Sequence, residues 1–159
     1  MSEQQLPWPP ETGVWKTYPM HCHCGTIRWN ITISPPLFPS DDPENKGTYA
    51  AVDCHCSYCQ RNGILPIHPK SANVVFTQGL EERKEYLTAS KKCPQWFCGQ
   101  CGSCIGTDLS VLAKEMGMEG RYSINLRMLK DFDVSKIEVK KVGGMDMKDA
   151  PPKYPPFEV

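Results

Sequence analysis

Cys22-His23-Cys24-Gly25-Thr26-Ile27-Arg28-Trp29-Asn30-Ile31-Thr32-Ile33-Ser34 joins a closely spaced cysteine pair to a strictly alternating run. Ile27, Trp29, Ile31 and Ile33 fall on one side and Thr26, Arg28, Asn30 and Thr32 on the other, the period of a half-buried strand. Pro35 and Pro36 end it. Working outward, seven of the nine cysteines lie in three clusters: Cys22-His23-Cys24, Cys54-His55-Cys56-Ser57-Tyr58-Cys59 and Cys98-Gly99-Gln100-Cys101. Such spacing turns two thiolates onto one tetrahedral ion at about 2.3 Å, and zinc is the expected metal. An odd cysteine count argues against a complete disulfide framework.

A closed structural zinc site takes four protein ligands, whereas a catalytic one takes three and leaves a position for water or substrate. Two pairs and one triplet therefore fit two ions per chain. Cys22, Cys24, Cys98 and Cys101 are assigned to the closed site, and Cys54, Cys56 and Cys59 to the open one. Spacing alone leaves the partners unsettled, because either pair could combine with part of the triplet. A fourth ligand from His55, His68, Cys93 or Cys104 would close the second site and make it architectural. His55 is poorly placed for this, since in an extended Cys-x-Cys its ring points away from the flanking sulfurs. His21 and His23 alternate with the first pair in the same way and are expected at the surface or behind the ligands. Cys98, Cys101 and Cys104 also begin a ferredoxin-like spacing, but nothing after Cys104 supplies the fourth cysteine.

A chain of 159 residues with 40% hydrophobic content can bury one core without disulfides, so a single domain is expected. The expected division is an extended, proline-bearing arm over 1–19, a zinc-binding β domain over 20–149 and a proline-rich tail over 150–159. Eighteen basic residues balance 18 acidic ones. Ligating thiols must be deprotonated, so two loaded sites would take the net charge to roughly −3. Neither nucleic acid nor an anionic membrane is an expected partner. No apolar run approaches the roughly 20 residues of a membrane span, and residues 1–5 lack the character of a signal peptide. Free thiols point to a reducing compartment, with the cytoplasm expected and the nucleus its alternative.

Further strands are expected near Gly47 to Asp53, Val74 to Phe76, Lys84 to Thr88, Trp96-Phe97, Cys104 to Leu109 and Arg121 to Leu126, with Ile137 to Val142 closing the sheet. Phe38 to Lys46 reads as a surface loop. Ser57 to Gly63 should turn away from the triplet as a short helical or irregular segment. Leu112 to Met118 has helical propensity, limited to a turn or two by Gly117 and Gly120. The chain therefore reads as mainly β, built of short strands.

His23-Cys24-Gly25-Thr26-Ile27-Arg28-Trp29, Cys54-His55-Cys56-Ser57-Tyr58-Cys59-Gln60-Arg61-Asn62-Gly63 and Phe97-Cys98-Gly99-Gln100-Cys101-Gly102-Ser103 resemble the family of glutathione-dependent formaldehyde-activating enzymes, which includes centromere protein V. The likeness spans roughly Met20 to Tyr154 and takes in Asn125-Leu126-Arg127-Met128-Leu129. It implies a β-tent fold of short antiparallel sheets with a structural zinc on Cys22, Cys24, Cys98 and Cys101. It also implies a second zinc on Cys54, Cys56 and Cys59 that is open to a thiol, and carbon-sulfur lyase activity in the reversible addition of glutathione to formaldehyde. Gln60 and Arg61 follow the triplet closely enough to reach such a ligand, and Arg61 suits a carboxylate of a glutathione-like tripeptide. Exposed salt-bridging is the plainer role for it. Three thiolates weaken the ion's pull on a carbonyl oxygen, which favours sulfur activation over hydrolysis. Two other readings compete: a non-enzymatic zinc-binding module, associated with chromatin or protein, and a lyase acting on a different thiol adduct. Where family members commonly carry arginine two residues before the phenylalanine matching Phe97, this chain has Gln95, so its electrophile can differ from formaldehyde.

Overall fold

The computed structural model describes residues 6–39, 41–45, 47–87 and 91–141. The tail from Ala150, and the expected strand ends at Thr88 and Val142, lie outside the described residues.

Alternation of the opening stretch becomes a strand for the reason that the sequence suggests. In β2 (Arg28–Ile33), Trp29, Ile31 and Ile33 are buried and Arg28 is exposed. Its hairpin partner β1 (Lys16–His21) begins inside the segment expected to be an arm. Tyr18 and Met20 go into the core on alternate positions of β1, which is what holds this proline-containing segment to the domain. On its other side β2 pairs antiparallel with β5 (Val74–Gln78), completing a three-stranded sheet.

The second sheet has five antiparallel strands, in the order β4 (Pro66–Ile67), β9 (Tyr122–Asn125), β8 (Cys104–Asp108), β7 (Pro94–Cys98) and β6 (Arg83–Leu87). Two short helices, α1 (Ser57–Asn62) and α2 (Ser110–Glu115), complete the main elements. The fold is thus mainly β, made of small sheets. Two expectations need correction. Of the stretch from Gly47, only Ala51–Asp53 forms a strand, β3. The last strand, β10 (Val139–Lys141), does not close an antiparallel sheet but runs parallel to β3 as a separate pair. Most of the domain lies between these two strands and serves as the long crossover that a parallel pair requires.

Ile31, Ile33, Ile67, Ile105, Ile124 and Leu126 are among the fully buried side chains packed between the two larger sheets. One aromatic contact, Phe76 to Trp96, crosses the same interface and is flanked by a ring pair within each sheet. Trp29 meets Phe76 at 5.8 Å between ring centroids, Phe76 meets Trp96 edge-on at 6.1 Å, and Trp96 meets Tyr122 at 4.8 Å. The Arg83 guanidinium lies 4.0 Å from the Trp96 ring centroid and 5.4 Å from that of Phe76. Among the described residues, no helix is long and apolar enough to cross a membrane.

Candidate metal centres

Hairpin turns from the two larger sheets meet at the first cluster. Cys22 and Cys24 belong to the β1–β2 turn, while Cys98 ends β7 and Cys101 lies in the turn to β8. Each turn closes with a backbone bond back to its first cysteine, Gly25 N–H to Cys22 O at 3.0 Å and Gly102 N–H to Cys98 O at 2.8 Å. Gly25 and Gly102 both take positive φ, 75° and 74°, which suits a residue without Cβ. Ile27 N–H donates to Cys22 Sγ at 3.3 Å and Gln100 N–H to Cys98 Sγ at 3.4 Å, so the turns orient their own sulfurs. Ser103 fastens one turn to the other: its Oγ accepts from His23 N–H at 3.0 Å and lies 3.2 Å from Cys101 Sγ.

All four sulfurs lie within 4.8 Å of one another. Cys22 and Cys24 are 3.5 Å apart and Cys24 and Cys98 3.8 Å. Four thiolates held at about 2.3 Å around a tetrahedral ion would stand about 3.8 Å apart, so this donor set fits zinc. Protons are unevenly favoured here. Burial pushes the Cys22 thiol up to about 11. At Cys101, partial burial also acts upward, but the Ser103 hydroxyl and backbone outweigh it and bring the thiol down to about 5. A hydrogen bond with the Thr26 hydroxyl draws Cys24 down as well. A cation would relieve the crowding of sulfurs that otherwise hold their protons against one another.

One short segment makes the second cluster. Cys54 and Cys56 leave the end of β3, and Cys59 sits in the first turn of α1. Cys56 is also the cap of that helix, its Sγ accepting from Cys59 N–H at 3.4 Å. Gln60 folds back across the segment, Nε2 donating to Cys54 O at 2.8 Å. Past the helix, the amides of Gly63 and Ile64 both donate to Cys59 O. The three sulfurs lie within 4.8 Å of one another and all three residues are half-buried. Hydrogen bonds from Cys54 and Cys59 pull the Cys56 thiol down, while those with Cys54 and Cys56, reinforced by burial, push Cys59 up. One thiolate is thus favoured even among three crowded sulfurs.

The two groupings are those assigned from the sequence, and among the described residues they are the groups of three or more possible metal donors. None of the candidates for a fourth ligand joins the triplet. His55 turns to Asp53, Nε2 to Oδ2 at 3.1 Å. His68 is buried with its ring 6.0 Å from that of Trp8, and Cys93 is buried. Cys104 approaches α1 instead, its Sγ 3.8 Å from Asn62 Oδ1 and 4.0 Å from Tyr58 Oη. Arg61 is exposed, with Nη1 donating to Ser57 O at 3.2 Å. His21 Nδ1 bonds the Cys22 carbonyl at 2.8 Å, behind the ligands. Gln95 is buried and accepts from the Thr107 hydroxyl across the β7–β8 pair.

Asn125 carries a role that sequence reasoning did not assign. It is 2% exposed, and its amide ties the segment after α1 to the start of β8. In the sequence it appears only within the 125–129 segment of the family resemblance, as a polar residue that caps the turn after β9.

Among solved structures, the chain resembles the crystal structure of a Rhodobacter sphaeroides protein from structural genomics. The TM-score is 0.54 at 18% identity, over 77% of this chain and 99% of that one, a likeness of fold. No curated protein matches the chain. The family model described as glutathione-dependent formaldehyde-activating enzyme matches residues 17–133, a span holding both cysteine clusters. With well over half of its 159 residues matched, the chain belongs to the glutathione-dependent formaldehyde-activating enzyme family.

Proposed function

We propose that this protein is a zinc-dependent carbon-sulfur lyase acting on a glutathione adduct, by default the reversible formation of S-hydroxymethylglutathione from glutathione and formaldehyde. The observation that carries it is the difference between the clusters: four sulfurs converge at one, and three with no fourth described donor at the other. Cys22, Cys24, Cys98 and Cys101 would hold a structural ion, and Cys54, Cys56 and Cys59 an ion with a position left for an incoming thiol. Zinc held by Cys54, Cys56 and Cys59 would supply a Lewis acid that lowers the pKa of an incoming thiol. In the forward direction a C–S bond forms, the carbonyl π pair moves to oxygen, and the thiol's proton ends on that oxygen; the reverse breaks the C–S bond. Nothing is oxidised or reduced.

The chain's own part is placement. Cys56 serves at once as ligand and helix cap, which couples its direction to that of Cys59. Gln60 closes the segment by holding the Cys54 carbonyl, and this supports the site more directly than a contact with glutathione would. Asp53 engages the His55 ring nitrogen at 3.1 Å, and His55 is not among the donors that converge there. Arg61 remains available at the surface for a carboxylate of the tripeptide.

The test is zinc content per chain for the native protein and the Cys56→Ser variant, with calorimetric titration of glutathione into each. Two ions falling to one, together with loss of glutathione binding, is the expected result. Equal zinc content in the two proteins and no affinity for glutathione would sink the proposal and leave a zinc-binding module.

A further inference from the structure

Asn125, at the end of β9, uses both ends of its buried amide. Oδ1 accepts from Leu65 N–H at 3.2 Å and from Arg127 N–H at 3.3 Å, while Nδ2 donates to Cys104 O at 2.9 Å. The same stretch is gripped again where Leu126 N–H donates to Leu65 O at 2.8 Å. Leu65 directly follows the Gly63-Ile64 turn that bonds the Cys59 carbonyl. Cys104 opens β8 three residues beyond Cys101, and its thiol faces Asn62 and Tyr58 of α1. A single side chain therefore ties the exit of the helix that bears Cys59 to the strand that leaves the four-sulfur cluster.

The chemistry of the position is demanding. The side chain must accept two N–H bonds with one end and donate to a carbonyl with the other. Aspartate offers only acceptors and would set a carboxylate against the Cys104 carbonyl. Leucine keeps the volume but leaves buried backbone groups without partners. Cys54 and Cys56 hang from β3, which belongs to a different sheet from β8 and β9. Where Cys59 stands relative to them thus depends on what fixes α1. Gln60 does this locally and in contact with solvent, and Asn125 does it from the core.

We infer that Asn125 is the positioning residue of the three-sulfur site, holding α1 where Cys59 can converge with Cys54 and Cys56 on one ion. This rests on the reading that the triplet takes a metal. Coupling of this kind is reciprocal, so an ion at the triplet must in turn steady the bonds that Asn125 makes.

Two measurements test it on the full chain. In the first, zinc is withdrawn by a chromophoric chelator from the native protein, from Asn125→Ala and from the volume-preserving Asn125→Asp. The class of zinc that belongs to the triplet is the one missing in Cys56→Ser. Both Asn125 variants should bind that class about tenfold or more weakly, the effect typical of losing an outer hydrogen-bond partner, and hold the other class unchanged. No change in either class, or equal weakening of both, overturns the inference. The second measurement needs no substitution. Hydrogen exchange of the native protein is followed as zinc rises from one equivalent to two. The Leu65 and Arg127 amides should slow while those of β2 do not, and unchanged exchange at both would overturn the inference. A native protein with a single class of zinc overturns the function proposed above and this inference with it. Two native classes with no response to Asn125 overturn the inference alone.

Discussion

Acid should unfold this protein partly through one histidine that has nothing to do with metal. His68 follows β4, is 8% exposed and lies with its ring 6.0 Å from that of Trp8. Its Nδ1 has no hydrogen-bond partner in the fold. Arg121 stacks on Trp8 at 4.1 Å and donates Nη1 to the His68 carbonyl at 2.6 Å, and Lys140 adds a second positive charge. Burial first, then these two charges, lower the imidazole from 6.5 to about 4. The unfolded chain keeps the ordinary value, so as pH falls it takes up the proton before the folded chain does. Stability that is fully present above pH 6.5 therefore drains away as pH falls toward about 4. The complete loss is about 3 kcal/mol, and roughly 2 kcal/mol of it is gone by about pH 5. That is a large share of the 5–15 kcal/mol, roughly, that holds a domain of this kind together. Urea unfolding of the native protein and of His68→Phe at about pH 7.5 and pH 5 isolates the effect. Acid also protonates the cysteine clusters, but it does so in both proteins and cancels in their difference. His68→Phe should gain about 2 kcal/mol relative to the native protein between the two pH values. Curves that fall in parallel would refute the reasoning.

Trp29→Ala empties the largest fully buried site in the core and should cost about 3–5 kcal/mol in urea unfolding; a loss below about 1 kcal/mol would mean that the sheets do not pack on it as described. Arg83→Lys keeps the charge but gives up a planar cation between two rings. It should cost about 1 kcal/mol and shift the fluorescence of Trp96, and an unaltered spectrum would count against the stacked geometry. Withdrawal of zinc from the native protein with a strong chelator should lower its thermal midpoint, because an ion held only by the folded state adds about 4 kcal/mol at a thousandfold excess over its Kd. An unchanged midpoint would show that the four-sulfur cluster is not fastening the sheets.

Local chemistry made part of this molecule legible. Three cysteine clusters at ligand spacing predict two groups of donors, though spacing leaves their partners open, and the alternation from Ile27 to Ile33 predicts both β2 and the face it buries. β1 was hidden because Pro19, close behind Pro7, Pro9 and Pro10, makes the segment read as an extended arm. Tyr18 and Met20, buried two residues apart, were its only signal. β4 has two residues, too few to show any period. The β10 segment was recognisable as a strand, yet its partner was not, since pairing with β3 is decided by the course of the chain between them. Gln60 was legible as a neighbour of the triplet, whereas its bond to the Cys54 carbonyl depends on the turn into α1. Asn125 was legible as part of a familiar segment and as a cap for Arg127 N–H, but its long-range role was not. Its partners Leu65 and Cys104 are 60 and 21 residues away, and only the finished sheet brings them within reach.

The same residue type builds two clusters of different make-up because the chain supplies the sulfurs in different ways. Cys22 and Cys24 come from one sheet and Cys98 and Cys101 from another, so their cluster can be completed only by folding, and an ion there links elements that the sequence keeps far apart. Such a site gains from every donor it can enclose. Cys54, Cys56 and Cys59 come from six consecutive residues, with one of them capping the helix that carries another. A segment so short can offer donors from one side of an ion only, and a tetrahedral ion then faces outward with one direction unspent. The fourth ligand must come from elsewhere in the chain or from outside it. His55 is held by Asp53 and Cys104 lies against Asn62, so neither residue turns its donor atom to the triplet. On the function proposed above, the economy of the local loop is what would leave the second cluster a position for an incoming thiol, and the buried amide of Asn125 is what would keep that loop from drifting.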